Sequence, residues 1–192
     1  MREQGVGKET NRREMLKLSG MGVLGGAAIN ALTSGTTRAA VEPGTSYASW
    51  IHGHGMQIEY PDRLVRVERD GWGTVVEGKP GTDNWFHFAI PTPVIINDVR
   101  LQADSILLSF STGSIDAFVR DVHVWDGSNR IAVFDNRYLP PGEPAERLIL
   151  PGAPMMGFGL GISVGVGFGV EPMDHLMTFL AAGCDFVIRP SA

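Results

Sequence analysis

The sequence is poor in cysteine and in basic residues. Cys184 is the only cysteine among 192 residues, so no disulfide can form within the chain and the fold must be stable without one. Lys and Arg number 16 against 21 Asp and Glu, which disfavours nucleic acid as a partner, because binding a polyphosphate requires a surplus of positive charge. The length is that of one ordinary domain and excludes a multidomain enzyme.

The composition predicts a packed β-rich domain. Hydrophobic residues make up 43% of the chain, charged residues 19%, and the mean hydropathy is +0.02, which is typical of a globular protein and excludes both a disordered chain and a polytopic membrane protein. The 25 glycines and 12 prolines interrupt the chain too often for long helices. We therefore expect strands and turns.

The amino-terminal segment resembles a twin-arginine export signal. Residues 10–40 read TNRREMLKLSGMGVLGGAAINALTSGTTRAA, close to the usual Ser/Thr-Arg-Arg-x-Phe-Leu-Lys core, with Asn11 at the hydroxyl position and Met15 replacing phenylalanine. The apolar part is glycine-rich and shorter than the roughly 20 residues of a membrane span. Small residues predict cleavage after Ala39. The prediction is a signal peptide at 1–39, one domain at 40–192, and a periplasmic or extracellular location.

Cleavage would make the protein more acidic. Residues 40–192 carry ten Lys and Arg and 18 Asp and Glu, a net charge of −8, with Lys79 as the one lysine. Such a surface repels phosphate, so we predict no nucleic-acid partner. No membrane span would remain, and the oligomeric state is left open.

Alternation of bulky and small side chains with a period of two predicts strands throughout residues 47–187. It begins at Tyr47–Tyr60 and recurs every eight to twelve residues. Two alternating runs flank Asp126-Gly127-Ser128-Asn129, whose residues tolerate left-handed backbone, so a hairpin is expected there. The predicted fold class is all-β, a two-sheet antiparallel sandwich of jelly-roll type.

The segment 157–169 alternates most strictly, with glycine or serine at every odd position and an apolar residue at every even one. One face of this strand would be almost without side chains. Glycine weakens a strand by about 0.5–1 kcal/mol relative to alanine, so something must compensate. Three interpretations stay open. The strand coils strongly so that large side chains of a neighbouring sheet fill the space, the bare backbone is the floor of a ligand groove, or the flat face stacks in an assembly.

Four motifs resemble a bacterial secreted family of unknown function. They are SWIHGHGMQIEYP, EGKPGTDNWFHFAIPTPV, VHVWDG and GLGISVGVGFGVEP followed by FLAAGCDFV. The resemblance spans residues 47–187. It implies the domain boundaries, but it brings no activity, substrate or catalytic residue.

A second, partial resemblance is to the first cupin motif. The spacing His52-x-His54-x4-Glu59 matches the centre of that motif, although Ser46 and Arg66 stand where its flanking glycines should be. On one continuous strand the two histidines share a face, which is the arrangement that a shared metal requires.

The metal hypothesis adds a fourth ligand. His52, His54 and His87 would supply nitrogens and Glu59 a carboxylate to Fe, Mn, Cu or Zn, as in an oxygenase or isomerase. A continuous strand would put Glu59 on the opposite face, so a bend near Gly55 is needed. The alternative, which we favour, is that the histidines bond neighbouring backbone and no cofactor is present.

A third set of residues suggests a sugar-binding face. Asp121, His123 and Trp125 alternate on one side of their strand, where an indole can stack on a sugar ring and the polar pair can bond its hydroxyls. The competing interpretation is an ordinary solvated strand face. The residues predicted on the opposite side are Phe118, Arg120, Val122 and Val124.

The remaining tryptophans and Cys184 are expected in the core. We place Trp50, Trp72 and Trp85 there, and Cys184 as a small buried residue on the last strand. Residues 161–165 match the pattern Gly-x-Ser-x-Gly of a nucleophile elbow. Ser163 lies inside an alternating strand, however, so we expect no nucleophilic catalysis. The sequence thus predicts an exported, non-catalytic binding or structural protein whose ligand is a glycan or another cell-envelope molecule. The alternative is a cupin-like metalloenzyme.

Overall fold

A computed structural model describes residues 46–139 and 145–188. This part of the chain forms 13 strands and two short 3-10 turns, and no helix in it has the length and hydropathy of a membrane span. The predicted signal peptide lies outside the described residues. The strands are β1 (Ser46–His52), β2 (Gln57–Ile58), β3 (Leu64–Asp70), β4 (Gly73–Gly78), β5 (Asp83–Ile90), β6 (Ile95–Ile96), β7 (Val99–Arg100), β8 (Gln102–Thr112), β9 (Ala117–Asp126), β10 (Asn129–Phe134), β11 (Glu146–Ile149), β12 (Leu160–Phe168) and β13 (Leu176–Val187).

The strands form two antiparallel sheets. Sheet 1 has six strands in the order β11-β8-β13-β4-β3, with β1 also paired to β13. Sheet 2 has five strands in the order β10-β9-β12-β5-β2, and β6 and β7 form a separate small ribbon. Non-consecutive strands are therefore neighbours in both sheets. The predicted all-β, two-sheet sandwich of jelly-roll type is confirmed.

The core lies between the sheets and contains the even-numbered residues of β5 and β12. Phe86 and Phe88 of sheet 2 contact Phe179 of sheet 1, with ring centroids 4.9 and 5.6 Å apart. These aromatic contacts across the sandwich add to the burial of the rings themselves. Cys184 is fully buried, as predicted, and burial raises the pKa of its thiol.

The prediction of one strand over Tyr47–Tyr60 is wrong. A 3-10 turn at Gly53–Gly55 separates β1 from β2. Because β1 pairs in sheet 1 and β2 pairs in sheet 2, this turn carries the chain from one sheet to the other. Backbone of Phe179 lies where a side chain at Gly53 would stand, which explains the glycine.

The glycine-rich strand is shorter than predicted. β12 covers Leu160–Phe168, so Gly157, Gly159 and Gly169 lie beyond its ends. At its start, the N–H groups of Gly157, Phe158 and Gly159 all donate to the carboxylate of Asp126 at 2.6–3.0 Å. These bonds replace the ladder pairing that a longer strand would have made.

The tryptophans predicted in the core are not there. Trp72 is 55% exposed in the turn between β3 and β4, and Trp50 is 42% exposed, lying over Gly183 on the outside of sheet 1. Trp85 alternates with the buried Phe86 and so points outward from sheet 2. Phenylalanine and aliphatic side chains fill the core instead.

The predicted hairpin is confirmed as β9 and β10, with Gly127 at φ 58°.

Candidate functional site

We call the outward side of sheet 2 the outer face. At its centre, β12 lies between β9 and β5. Ser163 of β12 pairs with His123 of β9 and with His87 of β5. Two residues further along β12 in each direction, Gly165 lies between Asp121 and Trp85, and Gly161 lies between Trp125 and Ala89. All three residues of the predicted sugar-binding set, Asp121, His123 and Trp125, are therefore on this face.

Neighbouring strands cover part of the bare backbone of β12. The Trp85 indole lies over Gly165, where a Cβ would be 3.1 Å from the ring, and the Phe118 ring lies over Gly167, where it would be 2.7 Å away. At Gly161 the nearest atom is the Cβ of Trp125 at 3.8 Å, an ordinary contact. The interpretation that a neighbouring sheet fills the space is wrong in its source, because the side chains that cover the second half of β12 belong to strands of the same sheet. The backbone at Gly161 beside Trp125 stays uncovered, and we call this part of β12 the shelf. For the shelf, the ligand-groove interpretation stays a prediction.

A β-bulge in β9 changes which residues face outward. The pairing with β12 shifts between Gly165 and Val166, and Arg120 is the additional residue. Phe118 and Arg120 consequently lie on the outer face, and not on the core side of β9 with Val122. The predicted placement of these two residues is wrong. A bulge puts two successive residues on one side of a strand, which a strict period of two cannot anticipate.

Asp121 is occupied by protein contacts. Its Oδ1 accepts from the backbone N–H of Asn136 at 3.0 Å and its Oδ2 from Nε of Arg120 at 2.5 Å, and the side chain is only 12% exposed. Burial raises the pKa of Asp121, but the bonds from Asn136 and Arg120 outweigh it and the pKa is lowered. Asp121 therefore joins the segment that follows β10 to the bulge in β9.

His123 and Trp125 are half-buried beside the shelf. The His123 ring contacts the Trp85 ring, with centroids 4.8 Å apart, and its Nε2 bonds Oδ1 of Asp135 at 2.8 Å. The Arg130 guanidinium lies 5.7 Å from the Trp125 ring centroid, within reach of a cation–π interaction. The face therefore combines aromatic surface with oriented polar groups.

A hydrogen-bonded line of Glu59, His87 and Ser163 crosses the same face. The metal hypothesis had grouped Glu59 with His87, but sequence reasoning missed Ser163 and the hydrogen bonding. Nε2 of His87 lies 3.0 Å from Oε2 of Glu59, and Nδ1 lies 2.9 Å from Oγ of Ser163. The backbone N–H of Glu59 donates to the carbonyl of Trp85 at 3.0 Å, which brings the carboxylate alongside β5. Sequence spacing could not reveal this line, because its members come from three strands that are adjacent only in the folded sheet.

The line has a defined polarity. A hydrogen bond from Tyr60 lowers the pKa of Glu59; burial acts against it, and the bond and charge of His87 add to the lowering. An ionised carboxylate only accepts, so Nε2 of His87 donates to it, and Nδ1 of the same ring bonds the Ser163 hydroxyl. The oxygen of Ser163 stays available to accept from a ligand.

The order carboxylate, imidazole, hydroxyl is also that of a hydrolase triad. Ser163, however, lies in the middle of β12 with strands paired on both sides, so its backbone N–H belongs to the sheet ladder and not to an oxyanion hole. A nucleophile elbow requires a strand-to-helix turn, which is not found here. The geometry favours hydrogen bonding to a ligand over acyl transfer.

The four residues of the metal hypothesis form two pairs. His52 ends β1 in sheet 1, and its Nδ1 accepts from the backbone N–H of His54 at 3.3 Å. Nε2 of His54 bonds the backbone carbonyl of Asp70. Glu59 and His87 belong to the line in sheet 2. Within residues 46–139 and 145–188, no three His, Cys, Asp or Glu side chains are grouped as metal ligands. The shared strand face predicted for His52 and His54 is wrong, because the 3-10 turn takes His54 off the strand.

We expect protein purified without chelators to contain transition metal well below one equivalent. Each ring already bonds a protein group, and a site normally needs at least three ligands. Elemental analysis of the purified chain makes the measurement. A stoichiometric metal that is lost in the double variant His52→Ala, His54→Ala would support the cupin-like enzyme instead.

Fold and face together define a jelly-roll sandwich protein with an aromatic and polar surface on one sheet. The chain belongs to a family of unknown function, DUF6623, whose model matches residues 45–181. The resemblance seen in the sequence to a family of unknown function is thereby confirmed. No curated protein matches the chain in sequence.

Several solved structures are similar in architecture. A low-affinity xylan-binding module from Roseburia intestinalis is 9% identical with a TM-score of 0.47, the match covering 73% of this chain and 96% of the module. A family 29 carbohydrate-binding module from Piromyces equi is 8% identical with a TM-score of 0.42, covering 73% and 91%. A Stig cyclase from Fischerella sp. TAU is 12% identical with a TM-score of 0.43, covering 74% and 90%. A shared sandwich fold does not determine function.

Proposed function

We propose that the protein is a non-catalytic binding protein and that the outer face of sheet 2 binds a glycan. The observation that carries the proposal is the uncovered shelf at Gly161, with Trp125 on one side and the hydroxyl of Ser163 two residues further along β12. Sugar rings have an apolar face and a rim of hydroxyls. They therefore suit a surface that offers an aromatic ring beside oriented donors and acceptors.

The polar groups near the shelf are complementary to hydroxyls. Ser163 and His87 are held in fixed orientation by the line that ends at Glu59, whose side chain is 38% exposed. A prearranged group loses less conformational entropy when it binds than a mobile one does. In this proposal Ser163, His87 and Glu59 make the hydrogen bonds to sugar hydroxyls that were first predicted for Asp121. His123 and Trp125 keep their predicted roles.

The glycine at position 161 supports the proposal. A Cβ there would have enough room, since the nearest atom is 3.8 Å away, so packing within the sheet does not require glycine. The residue costs the strand stability relative to alanine. A ligand ring that lies directly on the backbone gives this position a physical reason to be bare.

Replacing Trp125 with alanine is expected to weaken glycan binding at least about tenfold, roughly 1.4 kcal/mol, because an aromatic anchor commonly contributes that much. Affinity electrophoresis and calorimetry against a panel of soluble plant and bacterial glycans make the measurement. Trp72→Ala is the matched control, since Trp72 is exposed on the turn between two strands of sheet 1. It should bind as the unaltered protein does.

Two results would contradict the proposal. One is an absence of binding across the panel by correctly folded protein. The other is equal affinity of the Trp125→Ala and unaltered proteins for the same glycan, which would show that any binding occurs elsewhere.

A further inference from the structure

A second feature lies at the other end of β12 from the shelf. A pocket of about 450 Å³ opens there, lined by Arg63, Asp83, Phe118, Arg120 and Gly167 among others. Gly167 pairs with Asp83 on one side and with Phe118 on the other, so the pocket continues the outer face. None of the sequence motifs indicated it, because its charged residues come from three separate segments.

The pocket contains a carboxylate shared between two guanidinium groups. Nη1 of Arg63 bonds Oδ1 of Asp83 at 2.5 Å, and Nη2 of Arg120 lies 3.5 Å from Oδ2. The Arg63 guanidinium also lies over the Tyr60 ring, 4.0 Å from its centroid, which is within the range of a cation–π interaction. A guanidinium has five N–H donors, and these contacts use only some of them.

Alternating donors and acceptors favour a neutral hydroxylated ligand over an acid. A sugar hydroxyl can accept from either arginine and donate to the carboxylate at the same time. A ligand carboxylate would instead compete with Asp83 for the guanidinium groups, and it would be repelled by Asp83 and by Asp121, which also bonds Arg120. The chain as a whole carries a net charge of −5, which adds to that repulsion.

The distance between shelf and pocket sets the length of the ligand. Gly167 is six positions after Gly161 in β12, which at strand spacing is about 20 Å. Trp85 lies over Gly165 between them. The aromatic and polar surface is therefore continuous over a distance greater than one sugar ring.

We propose that the outer face binds an extended neutral oligosaccharide, one unit lying on the shelf beside Trp125 and a distal unit bonding its hydroxyls to Arg63, Asp83 and Arg120. This inference rests on the proposed function and adds to it the ligand's length and charge. A ligand that reaches both subsites makes its second contact intramolecularly, so affinity rises with the number of sugar units until both subsites are filled.

The first test uses the unaltered protein and a series of defined ligands. Calorimetry compares di-, tetra- and hexasaccharides of β-1,4-linked glucose, xylose and mannose, and hexagalacturonate as the acidic probe. We expect the best neutral hexasaccharide to bind at least about tenfold tighter than its disaccharide, and the acidic hexamer to bind more weakly than the neutral one.

The second test separates the two subsites by substitution. Arg63→Gln and Asp83→Asn should each weaken hexasaccharide binding by roughly fivefold to tenfold and leave disaccharide binding unchanged. Arg66→Gln is the matched control, since Arg66 lies on β3 of sheet 1 and pairs there with Glu68 and Glu77. Thermal unfolding checks that each variant is folded.

The outcomes distinguish this inference from the function on which it rests. If no probe binds, or if Trp125→Ala binds normally, the proposed function fails. If Trp125→Ala loses binding but the disaccharide and hexasaccharide bind equally, or the acidic hexamer binds tighter, the extended neutral site is wrong and the glycan-binding function stands. Normal hexasaccharide binding by both pocket variants would likewise overturn the distal subsite.

Discussion

Gly53→Ala is expected to destabilise the domain by about 3 kcal/mol or more. A Cβ at this position would overlap the backbone carbonyl of Phe179, well inside van der Waals contact. Backbone in the middle of β13 cannot move aside as the end of a flexible side chain can, and overpacking of a core commonly costs about 1–3 kcal/mol even where side chains yield. The carbonyl of Gly53 is also held, accepting from Oγ1 of Thr74 at 3.1 Å and from the N–H of Met56 at 3.2 Å.

Urea unfolding of the purified variants measures this effect. Gly71→Ala is the control, because a Cβ at Gly71 meets no atom within 4 Å, and its stability should stay within about 1 kcal/mol of the unaltered protein. Equal stability of Gly53→Ala and Gly71→Ala would show that the turn is not packed against β13 as described. The result matters for function, because this turn brings Glu59 to His87.

Asp126→Ala is the substitution of a polar residue with the largest expected cost, about 3 kcal/mol. Its carboxylate accepts from three successive N–H groups, those of Gly157, Phe158 and Gly159, and the residue is only 7% exposed. Losing the acceptor removes three hydrogen bonds to an ionised carboxylate, and a hydrogen bond to a charged group contributes about 1.5–3 kcal/mol. Asp126→Asn keeps the shape but turns an amide donor toward one of the N–H groups, so its loss should be smaller than that of alanine.

The same site gives stability a pH dependence. Burial raises the pKa of Asp126, but the three backbone bonds outweigh it and the folded-state pKa is lowered. A carboxyl with a lowered pKa contributes stability that is fully present above its unfolded pKa near 4 and is lost as the pH falls through the folded value. Chemical unfolding between pH 5 and pH 2 should show a smaller decline for Asp126→Asn than for the unaltered protein. Parallel declines would indicate that the three bonds do not depend on the charge.

The fold could be predicted because the alternation within each strand indicates which of its residues are buried. In β5 and β12 the core residues are the even ones, and a period of two identifies them without any knowledge of the neighbours. The hairpin of β9 and β10 could be predicted for a similar reason, since the residues that make its turn are local. The tryptophans were misplaced because size and hydrophobicity alone do not determine which side of a strand a residue occupies.

The candidate site could be predicted only in part. His123 and Trp125 were found because they share one strand. The metal hypothesis brought Glu59 and His87 together, but Ser163 was not connected with them, since that connection depends on which strands are neighbours and in which register. Arg120 was placed on the wrong side because a bulge is set by pairing and not by composition.

The sequence by itself determined the β class, the sandwich and the family, because these depend on patterns that repeat along the chain. Only the tertiary structure decided which side chains from different strands are neighbours. It put Glu59, His87 and Ser163 in one line, laid Trp85 over Gly165, and joined the shelf to the pocket at Asp83. The physical reason is that strand order and register are fixed by packing of the whole core, where residues distant in sequence compete for the same space.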